Sequence, residues 1–325
     1  MVKYANILVT GGTGSFGSTF IKKVMNFPQV KRVVCLSRDE YKQEIFNNDM
    51  KSNRNINKLR FFLGDVRDQD RLNFAFRNID LVIHAAALKQ VPKAEYDPEE
   101  FIKTNIQGSL NVTKASINNK IKKCILISTD KAVNPVNHYG ATKLCAERLF
   151  VSSNNITKKN ETKFSVVRYG NVTFSRGSVL PILLKQNLEK KPFTITSKEM
   201  TRFVLSIDQG VKFVISTINN SKPGEIWIPK LKGIKIIDLA KSINKDNRIK
   251  IIGIREGEKI HETLINEESS LNTSEYANHY IIHPNLDDTK VKKNIFNKKK
   301  LFSYNSKDTE HMSLRELEKL VKYYA

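Results

Sequence analysis

The feature that most restricts the fold is a glycine cluster, Thr10-Gly11-Gly12-Thr13-Gly14-Ser15-Phe16-Gly17, lying between the apolar run Ile7 to Val9 and an amphipathic helical pattern with Phe20, Ile21 and Val24. Glycines let a backbone turn tightly and approach a pyrophosphate, whose charge then meets the amino end of the following helix. Alone, such a cluster would serve equally as a bare strand-to-helix turn. Its setting decides: Val33 to Leu36, Leu59 to Leu63, Leu81 to Ile83, Cys124 to Ile127 and Phe164 to Val167 are further short apolar runs, alternating with helical patterns. Strands alternating with helices give a parallel sheet covered on both faces, so the expected fold class is α/β, doubly wound.

After Gly170 the pattern loosens. Residues around Ser175 to Arg202 and from about Leu231 onward carry more Lys, Asn and Pro, whereas Val204 to Pro229 again reads as helix then strand. The expected division is a dinucleotide-binding domain of residues 1–172 and 204–230, and a smaller substrate domain of residues 173–203 and 231–325. In the tail, Ser313 and Glu316 form a capping-box pattern ahead of Leu317 and Leu320.

Composition excludes several classes. With 40% hydrophobic and 9% aromatic residues, the 325-residue chain has material for a core and is neither disordered nor collagenous. The longest apolar stretch, Ile79 to Leu88, is interrupted by Asp80 and His84 and is far short of the ~20 residues of a spanning helix. Asn6 to Thr10 runs into glycines where a secretory leader would have a cleavage site, so a cytoplasmic location is expected, with no membrane partner. Cys35, Cys124 and Cys145 have no metal-ligand spacing, so buried, reduced thiols and no metal site are expected. The net charge of +22 is dispersed, with Lys298-Lys299-Lys300 as its only run. No arginine stripe or stacking-aromatic motif accompanies it, which argues against nucleic acid and for a field that attracts a diphosphate.

The second strand ends in Ser37-Arg38-Asp39-Glu40, with Lys42 beyond. An acidic residue here would hold the ribose 2′-hydroxyl of NAD, and a base the 2′-phosphate of NADP. Arg38 and Lys42 favour NADP; the alternative has Asp39 facing the ribose and Arg38 solvated. Asp65 and Val66, after the third strand, stand where adenine would lie. Ala85 and Ala86, after the fourth, offer small side chains beside the nicotinamide ribose.

After the fifth strand come Ser128-Thr129-Asp130-Lys131, then Tyr139-Gly140-Ala141-Thr142-Lys143 opening a helix. Tyr139 and Lys143, four apart, share a helix face. An isolated pair of this kind would be an ordinary surface pair. After a dinucleotide fold and a strand-end Ser-Thr-Asp it becomes a candidate proton-transfer site. A free tyrosine has a pKa of ~10, so a base acting near neutrality needs about 4 kcal/mol of preference for the phenolate. A lysine cation and an oxidised nicotinamide would supply it.

Taken together, residues 10–17, 37–40, 64–68, 84–89, 129–132, 168–172, 175–179, 200–203 and 257–259 resemble the extended short-chain dehydrogenase/reductase superfamily, with its Rossmann domain. Within it the chain is similar to the soluble inverting UDP-N-acetylglucosamine 4,6-dehydratases. The Thr129-Asp130-Lys131 triplet with a downstream Tyr139 is the discriminating combination. The resemblance implies a hydro-lyase in polysaccharide biosynthesis that recycles NADP, acts on UDP-N-acetylglucosamine and forms a homo-oligomer. Tyr139 would take the 4-hydroxyl proton, Lys131 the C5 proton, and Asp130 would protonate the departing 6-hydroxyl, with Lys143 assisting Tyr139. The acid and base roles of Asp130 and Lys131 remain exchangeable. Asn171, Arg202 and Arg255 match positions that hold the UDP part; Glu258 would accept from ribose, and Lys89 and Lys185 are further candidates for sugar and diphosphate. Glu40, Lys89 and Asn105 complete the candidate cofactor set. His84 and His138 are read as hydrogen-bonded structural histidines. Departures from the family pattern, Phe174, Val204 and Glu256, lie on the substrate side. The rival readings are a retaining dehydratase or a 4-epimerase on the same fold and, from another class, an inert NADP-binding sensor.

Overall fold

The computed structural model describes residues 2–157, 161–173, 178–284 and 301–324. The first half alternates strictly: β1 (Asn6–Thr10), α1 (Ser15–Val24), β2 (Arg32–Ser37), α2 (Glu40–Met50), β3 (Leu59–Leu63), α3 (Gln69–Ala75) and β4 (Leu81–His84). Next come α4 (Val91–Tyr96), α5 (Pro98–Phe101), a π-helical stretch Ile102–Gln107, α6 (Gly108–Asn118), β5 (Lys123–Thr129), α7 (His138–Ser152) and β6 (Lys163–Tyr169). Shorter elements follow: β7 (Asn171–Val172), α8 (Val179–Leu188), β8 (Phe193–Ile195), β9 (Thr201–Leu205), α9 (Ile207–Asn220), β10 (Ile226–Pro229), β11 (Gly233–Lys235) and α10 (Ile236–Ile243). The last are β12 (Ile249–Ile251), β13 (Thr263–Ile265), α11 (Glu267–Ser270), β14 (Thr273–Glu275), β15 (His279–Ile282), β16 (Tyr304–Asn305) and α12 (Leu314–Tyr324).

Nine strands form one sheet in the order β14-β15-β10-β6-β5-β4-β1-β2-β3. From β3 to β10 every pairing is parallel, so the chain crosses over between strands and lays helices on both faces. The strand order reverses between β1 and β4, which leaves a crevice at their carboxyl ends. The expected doubly wound fold is therefore present. One expectation is corrected: residues 273–282, assigned from sequence to the substrate side, extend this sheet as β14 and β15, because β15 pairs antiparallel with the free edge of β10. Their backbone donors and acceptors are thereby satisfied at what would otherwise be an open edge.

Each sheet face carries its own core. Leu8, Val82 and Leu126 face Leu72, Val112, Ala146 and Phe150, while Ile7, Val9, Val33 and Ile125 face Phe20, Ile21, Val24, Val211 and Val214. Each buried Leu, Ile, Val or Phe side chain among these contributes about 1.5–3 kcal/mol by leaving water. A third cluster, Leu180, Leu183, Phe193, Ile195, Ile234, Leu239, Leu317 and Val321, joins α8, α10 and α12 to the short strands. The Ser313 capping box forms: its hydroxyl accepts from Glu316 N at 3.3 Å while Glu316 Oε2 accepts from Ser313 N at 2.8 Å. Cys35 and Cys124 are buried thiols, but Cys145, expected buried, is exposed on α7. Its position falls on the outer face of a helix whose inner face is taken by Thr142, Lys143, Ala146 and Phe150. No helix among the described residues is long and apolar enough to cross a membrane. Lys298 to Lys300, Phe174 and the motif residues Ser175 to Gly177 lie outside the described residues.

Phe150 is fully buried between His84, stacked at 5.7 Å, and the edge-on ring of Phe164 at 5.7 Å. Phe150→Ala should cost about 3–5 kcal/mol of folding free energy, measured by chemical denaturation with two-state analysis. A loss below about 1 kcal/mol would show that this face tolerates a cavity.

Candidate active site

The glycine loop sits at the reversal point. Gly11 has φ +67°, and a Cβ there would lie 2.8 Å from Ala86 N, so the loop can pass β4 only without a side chain. At Gly17 an added Cβ would come within 2.5 Å of Gly11 O, which makes glycine necessary for α1 to start so close to β1. Gly14 is the N-cap of α1, with no acidic residue in the helix's first turn. Thr13, Gly14, Ser15 and Phe16 therefore surround a helix amino end suited to an anion. Ala85 and Ala86 are half-buried beside it, and Thr10 Oγ1 accepts from Ala86 N at 3.3 Å. The residues present thus fit a dinucleotide diphosphate.

At the end of β2, Ser37 is buried and Asp39 caps α2 by accepting from Lys42 N at 3.0 Å. The Lys42 ammonium also pairs with Asp39, and Arg38 Nη1 lies 3.6 Å from Asp65 Oδ2. Asp65 is further bound by Arg67 at 2.8 Å. Burial would raise its carboxyl, but Arg67 and Arg38 hold it below the usual carboxylate range. Both bases expected to meet a 2′-phosphate are therefore engaged with carboxylates. Glu40, in the first turn of α2, and Lys89 are exposed, whereas Val66 is buried against Gly108. Asn105 corrects the sequence reading: it is buried, accepts from Leu88 N, donates to Leu88 O at 2.9 Å each, and donates to Thr142 Oγ1 at 3.0 Å. Its amide is spent fixing the segment after β4 against α7, not reaching toward a ligand.

Asp130 follows β5 and is fully buried. Its Oδ1 accepts from Thr129 Oγ1 at 2.9 Å and from Lys131 Nζ at 3.0 Å. Lys131 Nζ also lies 3.2 Å from Glu262 Oε1. Among the described residues Asp130 Oδ2 and Glu262 Oε2 are buried without a hydrogen-bond partner. Burial alone would lower the Lys131 ammonium's pKa, but Asp130 and Glu262 override it and hold the amine above the ordinary lysine range. The structure therefore carries Lys131 as a cation.

Tyr139 and Lys143 both face inward from α7. A lowered phenol is expected from a lysine cation and an oxidised nicotinamide acting together; the protein alone has the opposite net effect on the Tyr139 phenol. Burial pushes it up to about 12, against which Lys131 and the Thr129 hydroxyl pull down. Lys143 Nζ donates to Ile127 O at 2.9 Å, and burial brings it down to about 8, with Glu147 opposing. The Lys131 cation does not offset the desolvation of the phenol, so Tyr139 is a neutral phenol in this structure. His84, by contrast, is used up structurally: Nδ1 meets Thr10 Oγ1 at 2.7 Å and Nε2 meets Ser109 Oγ at 3.2 Å, and burial drops it to about 3. His138 is likewise structural: its ring Nε2 meets Pro98 O at 3.2 Å, and its backbone N–H donates to Glu95 Oε1 at 2.7 Å.

A cleft opens beside Lys131, lined by Asn171, Ser178, Arg202, Arg255, Glu258 and Glu262 together with apolar Val179, Ile195, Met200 and Ile236. Asn171 Oδ1 is a buried acceptor with no partner among the described residues. Arg202 is less free than the sequence suggested: Nη1 donates to Thr201 O at 2.7 Å and Ile260 O at 3.0 Å, and Nη2 to Lys259 O at 2.9 Å. It also approaches Glu258 at 3.6 Å, and Glu258 Oε2 accepts from Thr196 Oγ1 at 3.2 Å. Arg202 thus folds the 257–262 loop over the cleft while lining it. The loop is pinned again where Asn137 Nδ2 donates to Gly257 O at 2.7 Å, with Gly257 at φ +71°. Lys185 is not part of this cleft: its side chain is 76% exposed and pairs with Glu189 one turn away.

Sequence reasoning missed three residues. Glu262, 2% exposed, is a buried carboxylate on the Lys131 amine. Glu147 and Arg168 form a buried pair (3.0 and 2.6 Å), and Arg168 also donates to Leu264 O at 2.9 Å. That pair ties α7, which carries Tyr139, to the strand following Glu262. Glu147, four residues after Lys143, was visible as an acid on the inner helix face. Glu262 gave no local sign, because its partner lies on a different strand.

A reversal-point glycine loop, an inward Tyr/Lys helix and an acid–amine pair beside a cleft define an extended short-chain dehydrogenase/reductase. Residues 7–284 match the family model described as polysaccharide biosynthesis protein, and the chain belongs to that family. It is 51% identical, over 282 residues, to the UDP-N-acetylglucosamine 4,6-dehydratase (inverting) of Campylobacter jejuni serotype O:23/36, covering 86% of this chain and 83% of the relative. A UDP-glucose 4-epimerase of Rickettsia bellii is 38% identical, covering 97% and 94%. Among solved structures, Pen from Bacillus thuringiensis superposes with a TM-score of 0.89 at 35% identity, covering 99% and 98%.

Breaking the Arg168–Glu147 pair leaves a buried charge unpaired. Arg168→Met should therefore lower stability by about 3–5 kcal/mol, and the double variant Arg168→Met with Glu147→Leu should recover most of it, both measured by chemical denaturation. Equal losses in the single and double variants would contradict this.

Proposed function

We propose that the protein is a UDP-N-acetylglucosamine 4,6-dehydratase that inverts C5, giving UDP-2-acetamido-2,6-dideoxy-β-L-arabino-hex-4-ulose. The observation that carries this reading is the 3.0 Å contact between the half-buried Lys131 amine and buried Asp130, at a cleft with arginines on its wall, next to Tyr139. The 51% identity to the Campylobacter dehydratase supports it. A nicotinamide dinucleotide would lie along the glycine loop, and the finer choice is NADP. Arg38, half-exposed, and Lys42 would exchange their carboxylate partners for the 2′-phosphate, which binds a guanidinium in a fork. We assign residues 173–203 and much of the segment after 231 to the substrate side. A cytoplasmic homo-oligomer belongs to the same proposal.

When bound, the nicotinamide would take hydride from C4 and return it to C6, and its oxidised form would favour the Tyr139 phenolate. Tyr139 accepts the proton of the 4-hydroxyl; Lys143, one turn along the buried face, supports it. The 4-ketone acidifies the hydrogen at C5. Lys131 removes that proton and Asp130 protonates the leaving 6-oxygen, so water departs across C5 and C6. One proton moved from Nζ to Oδ1 across the 3.0 Å contact turns the resting ion pair into the neutral amine and the carboxylic acid that these steps require. With the hydride back at C6, C5 would take a solvent-derived proton from the face opposite the one it lost, which inverts that centre. Asn171, Arg202, Arg255 and Glu258 hold the nucleotide end.

A 4-epimerase is the second reading, favoured by the Rickettsia relative. It would need neither a base at C5 nor an acid at the 6-oxygen, and so leaves the Asp130–Lys131 pair without a task.

Incubation with UDP-N-acetylglucosamine in D₂O, followed by proton NMR, should yield a new 6-methyl signal and ring couplings of the inverted C5 configuration. An epimerase would give no methyl signal. Lys131→Ala should abolish deuterium entry at C5, and Tyr139→Phe should stop turnover while UDP binding persists. Arg38→Ala should weaken NADP at least about tenfold relative to NAD in calorimetric titrations, the effect of losing one charge-assisted contact. An unchanged ratio would remove Arg38 from cofactor choice.

A further inference from the structure

We propose that Glu262 is the positioning residue for the Lys131 amine: its carboxylate and that of Asp130 grip Nζ between them, so that the amine waits charged and within proton-transfer distance of Asp130. The inference rests on the dehydratase reading for its place in the reaction, but its geometry stands independently. A single carboxylate satisfies one ammonium, yet Nζ has two, at 3.0 and 3.2 Å. Glu262 is 2% exposed, and a buried carboxylate is retained only where something charged compensates it. Its backbone is fixed from both sides: Glu262 N donates to Ser306 Oγ at 2.9 Å, and Ser306 N donates to Glu262 O at 2.8 Å. The side chain is therefore aimed by the fold. Its second oxygen, Oε2, lies buried at the cleft without a partner among the described residues.

The charged groups acting on the amine come from four elements. Asp130 lies on its own segment, Glu262 and Lys259 on the approach to β13, Arg202 on β9, and the Tyr139 phenol on α7. Glu262 also meets Arg202 Nε at 3.9 Å, so it balances a second cation of the cluster. With Glu262 present, two carboxylates contact the Lys131 amine. Without it, Asp130 alone contacts the amine while Arg202 and Lys259 stay near, and the amine releases its proton at lower pH. Glu262 thus sets when Lys131 becomes a base, and where its nitrogen sits at that moment.

The test compares the full-length wild type, E262Q and E262D, each shown folded by thermal melting. Competitive acylation of Lys131 by acetic anhydride across a pH series, read by peptide mass spectrometry, reports the amine's protonation without requiring catalysis. E262Q is expected to move the Lys131 midpoint down by about one pH unit, which is about a tenfold gain in labelling near pH 8, while Lys230 stays unchanged. E262D, which keeps the charge but draws it back by one methylene, should fall between the two and decides the matter if E262Q does not fold. In turnover of UDP-N-acetylglucosamine, the falling limb of the kcat profile, where the Asp130–Lys131 pair loses the one proton it shares, should move down with the labelling midpoint while KM holds. A midpoint unmoved in the folded variants overturns the proposal. A wild type that makes no methyl product overturns the dehydratase reading instead, and the labelling result still decides the role of Glu262.

Discussion

An ammonium group held between two buried carboxylates at the edge of a cleft is the interaction on which the rest depends. Charges leave water at a cost of several kcal/mol each, so the Lys131 cluster persists only because Asp130, Glu262 and Lys131 are held at contact distance by rigid elements. Those elements are the end of β5, the start of α7 and the loop before β13. Arg202 clamps that loop through the carbonyls of Lys259 and Ile260, and the buried Arg168–Glu147 pair links α7 to the strand beyond it. Fold and site are thus joined by the same few charged side chains.

The architecture was legible because it follows from local patterns. Short β-branched runs separated by helical periodicity announced a parallel sheet, and the glycines at 11, 14 and 17 marked the reversal point, where only a missing side chain lets β1, β4 and α1 come together. The Asp130-Lys131 and Tyr139-Lys143 pairs were equally visible, since each lies within one turn of chain. Their protonation states were not. Tyr139 is pushed up and Lys131 held charged by burial and by a carboxylate arriving from the other half of the chain.

What the sequence hid is of one kind: partners distant along the chain. Glu262, the carbonyls that occupy Arg202 and the Leu88 backbone that occupies Asn105 are set by topology, and no spacing rule exposes them. Lys185 shows the opposite error. Its residue type suits a diphosphate, but helix α8 turns it to solvent while Val179 and Ile182 face the cleft. The extra strands β14 and β15 escaped notice because they are only three and four residues long, and their pairing with the edge of β10 is set by topology.

The central claim is that hydride taken from C4 returns to C6 of the same sugar after water is lost. UDP-N-acetylglucosamine carrying deuterium at C4 tests it directly. The account predicts that the label appears in the product's methyl group, one deuterium per molecule, by NMR and mass spectrometry. Label that stays at C4 or is lost from the sugar altogether would contradict it.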